Sequence, residues 1–315
     1  MTGAPGAAAP VPLGDDIAAL FAGERTALAR AITAVENETP DAAAVLAAIR
    51  PLLGRALVVG FTGAPGAGKS TLVAAYIAEL RKRGLRIGVV AVDPSSPISG
   101  GALLGDRIRM TAHAGDAEVF VRSLASRGHL GGLSRTASRV IDVMDAAGND
   151  VVLVETAGAG QNEVEIADIA DVRVVVLAPG LGDEIQAIKA GILEIADILV
   201  VNKADHPLAE RTLRQLGGLG RAGHAVPVLR TVATTGSGVA ELADAVAAHR
   251  RAKGERASPL LRVRRLLANL VAEAARQRIG DQASSEIDVL CEALLKGEIS
   301  FAAAVAAALG RLGKP

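Results

Sequence analysis

The sequence predicts an α/β fold: a mostly parallel sheet covered by helices on both faces, with helical extensions at its N- and C-terminal ends. Three observations predict it. Short apolar runs alternate with longer amphipathic stretches from about Arg55 to His249, as parallel strands buried on both faces require. Of the 315 residues 50% are hydrophobic and 22% charged, which suits a sizeable core and excludes a disordered chain. The flanking segments repeat apolar residues at spacings of three and four, the period of an amphipathic helix.

In chain order, Ile17, Leu20, Phe21, Ala27 and Leu28 mark a helical zone from Asp15 to about Leu53. Pro40-Asp41 breaks it with a turn and a new helix start, after which Val45, Leu46 and Ile49 resume the apolar face. The strand-like runs are Ala56–Thr62, Ile87–Val92, Val119–Val121, Val151–Glu155, Val172–Leu177, Ile198–Asn202 and Val228–Val232. Four of them lead straight into polar or Gly-rich segments. Ligands of open parallel sheets bind at the carboxyl ends of the strands, so functional residues are sought there. After Arg250 a charged linker precedes an amphipathic helix predicted over Leu260–Ile279 and a second helical stretch over Ser284–Leu312, broken near Gly297. These tail helices are read in two ways, as a cap on the core or as a dimerisation arm. The predicted organisation is an N-terminal tail and helical extension over 1–54, an α/β core over 55–250 and a helical arm over 251–315.

Composition narrows the function. Lys+Arg and Asp+Glu both number 34, so no broadly basic surface for nucleic acid or an anionic membrane is expected. Cys291 is the single cysteine and the five histidines lack ligand spacing, which rules out an internal disulfide and disfavours a Cys/His metal site. Aromatics are 2% with no Trp, leaving no stacking platform for single strands. Met1–Gly14 has no basic start of a signal peptide, and no apolar run is long enough to span a bilayer. A cytoplasmic location is therefore expected.

The chemistry begins at Gly63-Ala64-Pro65-Gly66-Ala67-Gly68-Lys69-Ser70-Thr71, which fits G-x-x-x-x-G-K-[ST] between a strand-like run and a helical stretch. Glycines let backbone N–H groups wrap phosphates, and the helix N-terminus adds positive potential. Lys69 is expected to neutralise the β- and γ-phosphates and Ser70 to ligate Mg²⁺. Downstream, Asn202-Lys203-Ala204-Asp205 fits N-K-x-D. Asp205 would accept hydrogen bonds from guanine N1–H and its 2-amino group, which adenine does not offer. Thr231-Val232-Ala233 falls where a further base-contacting loop belongs, with Val232 in place of the usual serine. Asp93 and Glu155 end their strand-like runs and are candidates to hold Mg²⁺ directly or through water. Glu155-Thr156-Ala157-Gly158 reads as a D-x-x-G switch with Glu for Asp, with Gly158 sensing the γ-phosphate. Ala159 stands where Ras-like enzymes place a water-orienting Gln, and Gln161 lies two positions on. Slow intrinsic turnover, nearer ~10⁻³ than 1 per second, is expected, with Arg109, Arg122, Arg127 or a partner as the assisting group.

Taken together, these motifs resemble the MeaB/ArgK-type P-loop GTPases, relatives of the methylmalonic aciduria type A protein. The resemblance also rests on Ala91–Pro97, Ser99–Met110, Arg122–Ser134, Glu155–Gln161 and Pro179–Gly191. It implies a P-loop NTPase core and a homodimeric GTPase using GTP/GDP and Mg²⁺. The partner it implies is adenosylcobalamin-dependent methylmalonyl-CoA mutase, whose cofactor loading the protein gates and which it protects. It further implies that Asp93, Asp106 and Glu155 are magnesium-side acids. By the same resemblance Arg122–Ser134, with Arg127, forms a switch near the phosphates, and Pro179–Lys189, with Asp183 and Lys189, a switch that reports nucleotide state. Two alternatives stay open: an ATP-dependent kinase of an amino-acid transport binding protein, and a metal-insertion GTPase.

Overall fold

A computed structural model describes residues 13–93, 115–125, 132–156, 169–180, 195–216, 220–221, 224–252, 264, 267–268, 271, 275, 285–296 and 298–312. It divides into two compact units, Met1–Arg262 and Val263–Pro315.

The first unit opens with three helices, α1 (Leu13–Phe21), α2 (Arg25–Glu36) and α3 (Ala42–Ile49). Gly23 ends α1 in a left-handed conformation, φ 78°, and Asn37 closes α2 by donating its N–H to Thr33 O at 3.1 Å. The buried faces of all three, including Leu28, Ile32, Val45 and Ile49, join the apolar cluster on one side of the sheet. The helical zone therefore packs directly on the α/β core.

That core is a seven-stranded sheet of β1 (Leu57–Thr62), β2 (Ile87–Asp93), β3 (Val119–Ala125), β4 (Val151–Thr156), β5 (Val172–Leu177), β6 (Ile198–Val201) and β9 (Val228–Arg230). The strands run in the order β3-β2-β4-β1-β5-β6-β9, and every pairing is parallel. Among the described residues the further α-helices of this unit are α4 (Lys69–Lys82), α5 (Gly132–Ala146), α6 (Ala209–Leu216) and α7 (Val239–Ala252). Alternation sorts the two faces: Leu57, Val59 and Phe61 pack with α4 and α7, while Val58, Val152 and Val154 pack with α5 and the N-terminal helices. A short antiparallel ladder, β7 (Gly220–Arg221) with β8 (His224–Ala225), was not legible in the apolar pattern.

Carboxylates staple the amino ends of the strands. Asp145, buried in α5, accepts the backbone N–H groups of Arg55 and Ala56 at 3.1 and 2.8 Å. Asp171 accepts that of Val58 at 2.9 Å and Asp197 that of Arg173 at 3.0 Å. Backbone donors with no ladder partner are thereby satisfied at this edge, while the carboxyl edge carries the loops that bear the motifs.

The second unit contains α8 (Ser285–Leu295) and α9 (Phe301–Leu312). Its surface shows Leu267, Val271, Val289, Leu295, Phe301 and Val305 as exposed large apolar side chains. Among the described residues no helix is long and apolar enough to cross a membrane.

Candidate nucleotide site

The site grows from the end of β1. After Thr62 the chain turns through Gly63, whose φ of 136° is closed to residues bearing a Cβ. A Cβ there would lie 2.0 Å from Val176 O on β5, so glycine lets the loop pass tightly over the neighbouring strand. Pro65 and Gly66 form the exposed tip, while Ala64 and Ala67 are buried beneath it. Gly68 returns the chain at φ 87° and precedes α4, whose first turn closes with Leu72 N–H donating to Gly68 O at 2.9 Å.

Lys69 and Ser70 are the first residues of α4, both 6% exposed. Lys69 Nζ donates to Gly63 O at 2.7 Å and Ala64 O at 3.0 Å, which holds the ammonium over the loop it serves. Ser70 Oγ donates to Glu155 Oε1 at 2.6 Å. Glu155 is 3% exposed and lies one residue before the end of β4. It sits on the face that carries α4 because it alternates in phase with Val151 and Leu153. Asp93 is the last residue of β2, two beyond Ala91, which is in register with Glu155. One strand edge thus presents a serine hydroxyl and a carboxylate in direct contact, with a second carboxylate residue on the adjoining strand.

The base motif meets the same loop from the other side. Asn202, directly after β6, is 1% exposed. Its Nδ2 donates to Ala67 O at 2.9 Å, and its Oδ1 accepts from Thr231 Oγ1 at 3.1 Å and from Ala233 N at 3.2 Å. Lys203 takes a left-handed turn, φ 52°, and its Nζ donates to Gly66 O at 2.8 Å. Ala204 N–H donates to Thr231 O at 3.0 Å. Asp205 stands exposed in the turn that follows. Val232 donates its N–H to Ser237 O at 3.0 Å. The buried Thr231 hydroxyl orients the Asn202 amide, a contact 29 residues apart in the chain. The N-K-x-D spacing announces Asn202 but gives no sign of that partner.

The structure thus brings together Gly63–Thr71, Glu155, Asn202, Lys203 and Thr231–Ala233. It places Arg122 elsewhere. Sequence analysis put Arg122 in a switch beside the phosphates, but β3 runs on to Ala125 and takes Arg122 into its middle. Phe120, Arg122 and Leu124 then share the face opposite α4. The Arg122 guanidinium bonds Glu36 of α2, its Nε at 2.9 Å, and donates to Thr33 Oγ1 at 3.3 Å. Asp106, Arg109, Arg127, Gly158, Gln161, Asp183 and Lys189 lie outside the described residues.

Asn202 joins the loop after the first core strand to the N-K-x-D turn, and comparison with known sequences gives the family. The sequence profile of a family described as "Methylmalonyl Co-A mutase-associated GTPase MeaB" matches residues 28–288. The chain belongs to this family. A Pyrococcus horikoshii relative is 50% identical over 248 residues, covering 76% of this chain and 78% of the relative. The GTPase ArgK of Escherichia coli is 46% identical over 197 residues, covering 61% and 60%. The mouse mitochondrial methylmalonic aciduria type A homolog is 38% identical over 255 residues, covering 71% and 60%. Among solved structures, a crystal structure of a "LAO/AO transport system kinase" aligns over 96% of this chain and 98% of its own, at a TM-score of 0.69 and 28% identity. As a MeaB-family member with this loop and base motif, the chain is a P-loop GTPase and binds guanine nucleotide.

Proposed function

We propose that this MeaB-family GTPase is a nucleotide-driven chaperone of adenosylcobalamin-dependent methylmalonyl-CoA mutase. In this reading it binds GTP with Mg²⁺, hydrolyses it slowly, and passes its nucleotide state to the mutase to gate cofactor loading and to protect or reactivate the enzyme. The observation that carries the reading is membership of a family described by its association with that mutase.

The chain's own residues support the nucleotide half. Lys69 supplies the charge that neutralises the β- and γ-phosphates, and the amino end of α4 adds its dipole. The Ser70 hydroxyl and the Glu155 carboxylate, 2.6 Å apart and buried, form a hard oxygen pair that fits Mg²⁺. Ser70 and Glu155 would hold the ion, with Asp93 beside them and Asp106 by resemblance. When bound, the ion supplies positive charge to the phosphates as the bond to the leaving diphosphate breaks. Asp205 selects guanine, which an adenine-using kinase has no need to do. Gly158 senses the γ-phosphate, and Asp183 and Lys189 relay the state outward.

The proposal includes a homodimer. The exposed apolar side chains of the second unit, Phe301 and Leu295 foremost, support an arm that a second copy covers. The location proposed is the cytoplasm.

The test is capture of purified mutase on the immobilised chain with GDP and with a non-hydrolysable GTP analogue. Capture that differs between the two nucleotides is the outcome the proposal requires. Equal capture, or none in either state, removes the mutase from the account.

A further inference from the structure

We propose that the amino edge of the sheet carries a second ligand site, for an amphipathic anion: a molecule with an aliphatic stem and a phosphate or carboxylate head. A cavity of about 530 Å³ opens there between α4 and α7, a size typical of small-molecule sites. Its walls include Leu57 and Val151, the first residues of β1 and β4, with Leu80 and Val246 from the two helices. The six residues of β1 separate it from the phosphate loop, about 20 Å at strand rise. An occupant therefore does not compete with nucleotide.

Two features specify the head group. The first is Tyr76, which lines the cavity while only 1% exposed. No described residue is bonded to its hydroxyl. Burial pushes its pKa far above the ordinary value, against a smaller opposing pull from Arg83, so the group stays neutral and keeps its proton to donate. The hydroxyl is open to the cavity rather than sealed in the core, so an anionic oxygen there would accept its proton in place of water.

The second feature is charge. Arg55, Arg83, Arg250 and Arg251 line the cavity against one acid, Asp150. Asp150 Oδ2 accepts the backbone N–H of Arg86 at 2.8 Å. Arg83 is answered by Asp244 at 2.7 Å and Glu79 at 3.0 Å, and Arg250 Nη2 donates to Arg55 O at 3.1 Å. Among the described residues the guanidinium groups of Arg55 and Arg251 meet no carboxylate. Arg250 and Arg251 end α7, where positive charge also complements the helix dipole. That does not account for Arg55, which enters from the loop before β1. Guanidinium forks beside a low-dielectric apolar wall suit a phosphate or carboxylate, and the aliphatic wall suits a stem.

The experiment is calorimetric titration of the full chain, saturated with GDP, with octyl phosphate, octanoate, inorganic phosphate and octanol. The proposal predicts saturable one-to-one binding of octyl phosphate or octanoate, the tighter of the two identifying the head group. Inorganic phosphate and octanol should each bind about tenfold or more weakly. The double variant Arg55→Ala/Arg251→Ala should weaken the octyl anion about tenfold, and Tyr76→Phe about threefold. Both should leave GDP affinity unchanged, which also verifies their folding. The proposal is overturned if neither octyl anion binds, if inorganic phosphate binds as tightly, or if the double variant matches the wild type.

Discussion

Asn202→Ala removes a side chain that ties the phosphate loop to the base loop. It takes away the donor to Ala67 O at 2.9 Å and the acceptor of Thr231 Oγ1 at 3.1 Å and Ala233 N at 3.2 Å. The site is 1% exposed, so the three abandoned groups are not readily rehydrated. At about 1–3 kcal/mol for each unsatisfied buried group, the total is about 3 kcal/mol or more. If that energy holds the two loops in the geometry that receives a nucleotide, GDP affinity falls about a hundredfold. Thr231→Val removes one of the three contacts and keeps the shape, so it should cost about 1 kcal/mol, or about fivefold in affinity. The sharper test is the double variant. Because Thr231 acts through Asn202, adding Thr231→Val to Asn202→Ala should change affinity little, giving a coupling of about 1 kcal/mol. Fluorescent-GDP titration of the four proteins, with urea unfolding of each, reads both quantities. Full additivity, or an Asn202→Ala protein that unfolds more easily yet binds GDP as the wild type does, would refute the reasoning.

Other perturbations probe separate parts of the site. Gly63→Ala forces a Cβ to 2.0 Å from Val176 O at a φ of 136°; thermal unfolding should show a loss of about 3 kcal/mol or more, and an unchanged melting temperature would contradict the loop geometry. Asp205→Asn should cut the preference for GTP over ATP by about two orders of magnitude with stability unaltered, since the residue is exposed; a stability change alone would mean that it is structural. Removing residues 263–315 should yield a monomer in sedimentation that still binds GDP, because every described site residue lies in the first unit; a dimer of the truncated chain would place the contact elsewhere. Steady-state GTP hydrolysis without a partner should run near ~10⁻³ per second, and a rate near 1 per second would mean that the chain supplies its own assisting group.

Much of this was legible in the residues, and the exceptions share a cause. The seven strands follow from continuous apolar runs, since a doubly covered parallel sheet needs them, and the phosphate loop follows from a motif whose glycines answer to specific φ values. What stayed hidden depends on long-range pairing. Arg122 fell just past the apolar run Val119–Val121 because the strand goes on as Arg-Ser-Leu-Ala; only pairing with β2 extends the strand and turns the side chain toward Glu36. Asp145, Asp171 and Asp197 read as ordinary acids, yet they accept strand N–H groups from 24 to 113 residues away. Thr231 fell inside a recognisable loop, but its hydroxyl contact to Asn202 follows from the register of β6 and β9. Local period and motif spacing carry no record of such partners.

Competition for bound fluorescent GDP tests the central claim most directly. GTP and ATP are titrated against the wild-type chain in Mg²⁺ buffer, and the guanine-reading role proposed for the turn joined to the phosphate loop predicts displacement by GTP at a concentration about a hundredfold lower than by ATP. Equal displacement by the two nucleotides would contradict it.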